Sequence, residues 1–148
     1  MAQWWTTRAL PVLSIDLRSL ALFRILLGGL IMADLMIRGA DLSVWMSDEG
    51  VFPRDFIIDW SGDNRWSLYF ISGSWVWALL LHLVAAGAAM ALLLGYRTRL
   101  ATLISFVLLV SLHNRAPLML QGGDNLLLLM VFWSIFLPLG ARFSMDAA

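Results

Sequence analysis

The residues best suited to chemistry lie in one stretch, Leu112-His113-Asn114-Arg115-Ala116-Pro117 followed by Gln121-Gly122-Gly123-Asp124-Asn125. An imidazole can give or take a proton near neutral pH. A guanidinium stays protonated and presents a planar fork of donors to an anionic oxygen. His113 is therefore a candidate acid/base, Arg115 a candidate oxyanion or headgroup binder, and Asp124 a candidate orienting group. A purely structural reading accounts for part of the stretch. Pro117 ends a helix, the glycine pair turns the chain, and Asp124 caps the helix that follows. It leaves His113, Asn114 and Arg115 together at a helix end without a reason.

Three further groups add to this inventory. Asp34 and Arg38 stand four apart, a spacing that puts them on one helix face as a local ion pair. His82 lies about seven residues below Trp75, roughly 10 Å along a helix. A lone histidine at such a position is more often a packing residue than a ligand. His82 and His113 fall at different depths, which argues against a shared haem iron. With Asp34, Arg38, His82 and Asn114 as ligand-binding candidates, the residues describe a polar pocket between helices; no metal set is recognised.

The elements that must position these groups are membrane helices. Hydrophobic residues make up 61% of the 148 positions and charged residues 14%, with a mean hydropathy of +0.82. A soluble domain is roughly half apolar and about one quarter charged. Spans are predicted over residues 20–37, 75–95, 99–114 and 124–140, each near the length needed to cross a bilayer. The expected fold is an all-α integral membrane bundle of about four transmembrane helices in one domain, residues 1–148. Residues 1–16 carry Trp4, Trp5 and Arg8 but no apolar core with a small-residue cleavage site, so no removable signal peptide is expected. The formal net charge is zero, which gives no field to attract nucleic acid. There is no cysteine and no lysine, so disulfides, thiolate chemistry and lysine bases are excluded.

Charge then gives the sidedness. The connector between the first two spans holds Asp41, Asp48, Glu49, Asp55, Asp59 and Asp63 against Arg38, Arg54 and Arg65. The turn between the second and third spans holds Arg97 and Arg99, with Arg8 and Arg18 before the first span and Arg142 after the fourth. Basic loops stay in the cytoplasm, so both termini are placed inside and the acidic connector outside. Trp45, Trp60, Trp66, Trp75 and Trp77 cluster in or beside that connector, as interfacial anchors do. The mixed stretch 66–71 is expected to lie along the membrane surface. Arg24, one turn inside the first span, either snorkels to the headgroups or pairs inside the bundle. The alanines from Ala85 to Ala91, with Gly87, read as a helix-packing stripe.

Four pieces in order carry a family resemblance: Leu20-Ala21-Leu22-Phe23-Arg24-Ile25, Ser47-Asp48-Glu49-Gly50-Val51-Phe52-Pro53-Arg54, Gly95-Tyr96-Arg97-Thr98-Arg99, and Leu112 to Pro117 with Gly122-Gly123-Asp124. The ending Leu137-Pro138-Leu139-Gly140 through Ser144-Met145-Asp146 fits as well. Together they resemble the horizontally transferred transmembrane domain, a family related to vitamin K-dependent gamma-carboxylase. The resemblance implies a helical membrane bundle working on its non-cytoplasmic side. In the carboxylase a lysine beyond the third span deprotonates vitamin K hydroquinone; the corresponding position here holds Arg115. Arginine does not lose its proton at neutral pH, so carboxylase activity is not expected. Members of the family usually continue into further membrane helices and often an outer domain. The chain therefore reads as a short form, a fragment, or a subunit completed by partners.

Two functions follow as expectations. One is a membrane protein of the inner membrane of a bacterium with an outer-face site for a quinone, a lipid or an anionic group, and no carboxylase activity. The other is a small non-catalytic accessory subunit of a larger membrane complex, respiratory or photosynthetic for example. The lipid bilayer is a partner in both, and other membrane subunits are expected in the second.

Overall fold

The computed structural model describes residues 16–61, 65–141 and 143–147. Of the residues that set the orientation, Arg8, Asp63 and Arg142 lie outside this range, as do Trp4 and Trp5. The described residues form helices and turns, with no strand among them. In chain order the helices are α1 (Leu17–Gly39), α2 (Leu42–Met46), α3 (Arg54–Ser61), α4 (Trp75–Leu94), α5 (Thr98–Arg115) and α6 (Gly122–Ser134). Short 3-10 turns occupy Leu68–Phe70, Pro117–Met119 and Met145–Ala147.

Capping and helix-stopping residues set the ends of the longer helices. Asp16 accepts from the N–H of Arg18 at 2.9 Å to open α1, and Ser74 accepts from Val76 at 3.3 Å to open α4. α4 ends at Gly95, whose φ of 76° lies in the left-handed region, with Tyr96 N–H returning to the carbonyl of Ala91 at 2.9 Å. α5 stops before Pro117, which disfavours helical geometry at Ala116 (φ −126°, ψ 59°).

The start of α6 differs from the expectation. Gln121 is its cap, in a reciprocal box with Asp124, and Gly122 and Gly123 are its first helical residues rather than a separate turn. Its end differs too. Regular helix stops at Ser134, and Ile135, Phe136 and Leu137 bond back to Phe132, Trp133 and Ser134 in tighter three-residue steps. Pro138 has no N–H and cannot continue the ladder.

Among the described residues two helices are long and apolar enough to cross a membrane, α1 at 23 residues and α4 at 20. α6 has 13 residues, about 20 Å of helix, and does not reach that length by itself.

α1 packs along α4, α4 along α5, and α5 along α6, with a smaller contact closing α6 onto α1. The core runs between them: Leu27, Ile31 and Leu35 face Leu81, Ala85, Ala89 and Leu92, with Leu108, Leu109, Leu127 and Val131 completing it. A Cβ on Gly28 would sit 3.0 Å from the backbone nitrogen of Leu93, so α1 and α4 touch nearly backbone to backbone there. Small residues permit that close approach.

The outward faces are apolar as well. Leu22, Leu26, Leu30, Met36 and Ile37 are exposed on α1, and Leu80, Leu83, Val84 and Leu94 on α4. An ordinary surface helix turns a polar face outward; one apolar all round needs protein or lipid on every side.

Candidate functional site

Polar side chains lie inside the bundle instead. Arg24, His82, Ser105, His113, Arg115 and Asp124 are all buried.

At the connector end, one turn of helix sets Asp34 under Arg38. The guanidinium Nε reaches both Asp34 oxygens at 2.9 Å, and Nη2 reaches Asp124 Oδ1 at 2.5 Å. Asp124 arrives from α6. Its other oxygen accepts the backbone N–H of Gln121 at 2.7 Å, so the residue caps its helix and binds the arginine together. The carboxylate also lies in the first turn of α6, where the helix dipole favours a negative charge. Two carboxylates thus hold one guanidinium across α1 and α6.

His113 is buried within range of the triplet's charges without itself lining the cavity beside them. It is 4% exposed, and neither ring nitrogen has a hydrogen-bond partner among the described residues. The charges whose fields act on it are those of Asp124, Arg38 and Asp34. A buried donor or acceptor left unmade costs about 1–3 kcal/mol, so a group that supplies the missing bonds gains that much. Beside the triplet opens a cavity of about 340 Å³, lined by Asp34, Arg38, Gln121 and Asp124 on its polar side and Ile37, Trp45 and Met119 on its apolar side.

The neighbouring residues on α5 point elsewhere. Successive helical positions are turned by about 100°, so His113, Asn114 and Arg115 cannot share one face. Asn114 donates to the carbonyl of Trp66 at 2.8 Å. Arg115, 1% exposed, donates from Nη2 to the carbonyl of Phe52 at 2.9 Å and, at a long 3.5 Å, to that of Ser47. Nε and Nη1 have no partner among the described residues.

The segment 47–54 is folded over that guanidinium. Arg54 pairs with Asp48 at 2.9 Å and donates to the Phe70 carbonyl at 3.3 Å, while Asp48 N–H bonds to Gly73. A side chain at Gly73 would collide with the Asp48 carboxylate. His82 closes a 2.7 Å hydrogen bond from Nε2 to the Leu35 carbonyl, tying α4 to α1; its Nδ1 has no partner among the described residues.

The structure therefore brings Asp34, Arg38, His113 and Asp124 together, and sets Asn114, Arg115 and His82 in three other environments. The stretch 66–71 forms a tight corner on the ends of α4 and α5. Ser67 donates to the Ser111 carbonyl at 2.6 Å, Leu68 N–H to Ser111 Oγ at 2.6 Å, and Trp77 Nε1 to the Leu68 carbonyl at 2.9 Å. Tyr69 is buried there with its hydroxyl unpartnered among the described residues, and desolvation pushes its acidity well below that of an ordinary tyrosine.

A second polar cluster closes the opposite end; the sequence weighs Arg24 individually as a charge at membrane depth, and offers Arg97, Thr98 and Asp146 only as loop charge or as pieces of the family resemblance. Arg24 is 1% exposed and pairs inside the bundle, donating to the carbonyls of Leu139 at 3.3 Å and Phe143 at 2.6 Å. Nearby, α5 begins at Arg97 with a left-handed φ of 43° and no cap of its own. Asp146 caps it from across the chain, accepting from the N–H groups of Arg97 (2.7 Å) and Thr98 (2.8 Å) and from the Thr98 hydroxyl (3.0 Å). Those bonds, Thr98 N–H foremost, hold the Asp146 carboxyl below the usual aspartate range. Backbone carbonyls and a cap supplied from nearly fifty residues away leave no local signature in a sequence.

No family model, no curated protein and no solved structure matches the chain.

Proposed function

We propose that this chain is a four-helix integral membrane protein of the bacterial inner membrane, with both termini cytoplasmic, that holds the oxygen-bearing head of a quinone or lipid at its outer face. It resembles the horizontally transferred transmembrane family and is without carboxylase activity. The observation that carries the reading is the pairing of His113, buried with no partner for either ring nitrogen among the described residues, with the nearby Asp34–Arg38–Asp124 triplet that lines a part-apolar cavity. Sites for such molecules are mostly apolar with a few placed polar groups. The apolar outward faces of α1 and α4 support the membrane setting, because exposed patches of that extent need a non-aqueous neighbour. Arg115 supports the absence of carboxylase chemistry. It stands where a lysine base is expected, remains a cation, and is committed to connector carbonyls.

The test is purification of the chain in mild detergent, followed by extraction and mass-spectrometric assay of bound quinone and lipid. The wild type is expected to carry such a molecule in near-stoichiometric amount. His113→Phe keeps a ring and removes both nitrogens; retained ligand should fall about tenfold, the worth of one good hydrogen bond. Thermal unfolding of the variant, freed of ligand, should be unchanged or raised, since two unmet polar atoms are gone. Equal ligand content in both proteins overturns the outer-face site. Isolation only as a stoichiometric complex that His113→Phe leaves intact and functional establishes the accessory-subunit reading instead.

A further inference from the structure

The end of the bundle away from His113 carries two adjoining cavities. One, about 520 Å³, has a mixed lining, with Arg97, Thr98, Arg99 and Asp146 on its polar side and Leu100 and Pro138 on its apolar side. The other, about 320 Å³, is an apolar groove between α4 and α5 formed chiefly by Val84, Gly87, Ala91, Leu100 and Ile104. They meet at Arg97 and Leu100, which line both. Arg97 lies over the Tyr96 ring at 5.7 Å, at the mouth of the groove.

We infer that this pair of cavities is a site for one anionic phospholipid, with its phosphate at Arg97 and Arg99 and an acyl chain in the groove. The inference rests on the membrane placement proposed above and concerns a different end of the molecule from the His113 site. Charge complementarity selects the occupant. Arg97 and Arg99 are exposed, and among the described residues neither is paired with a carboxylate. Asp146, the one acid in the lining, already accepts from three donors of Arg97 and Thr98. Behind the wall lies the third cation, Arg24, bonded to the carbonyl of Leu139, which lines the larger cavity. The local balance is therefore positive. The groove floor supplies the rest: Gly87 has nothing within 4 Å of where a Cβ would stand, so the helix face is open at chain width. A zwitterionic lipid would meet the same groove but bring no net charge to the arginines.

The experiment uses the full chain in detergent, stripped of lipid and offered dioleoyl phosphatidylglycerol or dioleoyl phosphatidylcholine, with bound lipid counted by native mass spectrometry. Phosphatidylglycerol is expected to be retained in preference, and Arg97→Gln and Arg99→Gln to weaken it by roughly fivefold each. Gly87→Leu, whose Cβ meets nothing within 4 Å, extends its side chain into the groove and should cost about fourfold for each methylene it displaces. The arginine variants should leave outer-site ligand unchanged. Equal retention of the two lipids, or indifference to both arginine substitutions, overturns the proposal. Displacement of the lipid by an equal concentration of inorganic phosphate also overturns it, reducing the site to a simple anion site. A chain that stays soluble without detergent and retains neither lipid overturns the membrane placement itself, a result distinct from the other three.

Discussion

Replacing Arg38 by alanine is expected to lower stability by about 3 kcal/mol, because it strands one buried and one half-buried carboxylate that now share one guanidinium. The side chains of Arg38, Asp34 and Asp124 are 11%, 19% and 10% exposed, so water cannot readily take the cation's place. The loss also frees α6 from α1 at the one ion pair that joins them. Thermal unfolding in detergent reads this as a fall of about 10 °C, at about 2–4 °C per kcal/mol for a domain of this size. The triple change Asp34→Asn, Arg38→Gln and Asp124→Asn should cost less than Arg38→Ala alone, since it leaves no unpaired charge. A fall of only a degree or two for Arg38→Ala, or a triple variant worse than the single, contradicts the triplet as described.

Gly95→Ala should be comparably damaging at the other end, by about 2–5 kcal/mol. Two costs combine. The backbone has φ of 76°, which disfavours a side chain, and the added Cβ collides with Arg24 Nη1 and Ser144 Cβ. Arg24 cannot retreat cheaply, because it is buried and donates to Leu139 and Phe143. Gly87→Ala is the control: helical, open on every side, and expected to be neutral or stabilising by about 0.5–1 kcal/mol. Unfolding curves that rank the two variants equally would show that Gly95 is not the hinge of this corner.

How much of this was legible in the sequence depends on how local each cause is. Apolar runs predict spans over 20–37 and 75–95, and helices occupy 17–39 and 75–94, because side-chain hydropathy and caps such as Asp16 and Ser74 act within a turn. The span predicted over 124–140 gives a regular helix only to Ser134. The sequence there stays apolar, but hydropathy does not register that Pro138 withdraws a donor and tightens the preceding turn.

The site divides the same way. Asp34 and Arg38 pair by spacing alone. Asp124 joins them across 86 positions, a contact that exists only once α6 closes onto α1. His113, Asn114 and Arg115 read as one cluster because they are consecutive, yet the helix turns them to the triplet, to Trp66 and to Phe52. The acceptors of Arg24 and Arg115 are backbone carbonyls, which every residue has and no motif marks.

In the proposed membrane placement the His113 side of the bundle faces outward and the Arg97 side faces the cytoplasm. The chain has no cysteine, so single cysteines can be placed without background. Gln121→Cys, in the lining of the cavity beside Arg38, and Arg99→Cys, in the lining of the one at the opposite end, mark the two ends. Intact cells with a permeabilised outer envelope are treated with a membrane-impermeant maleimide. Gln121→Cys is expected to be labelled directly, and Arg99→Cys only after the inner membrane is opened. Labelling of Arg99→Cys alone in intact cells, or of both sites equally, would contradict that placement.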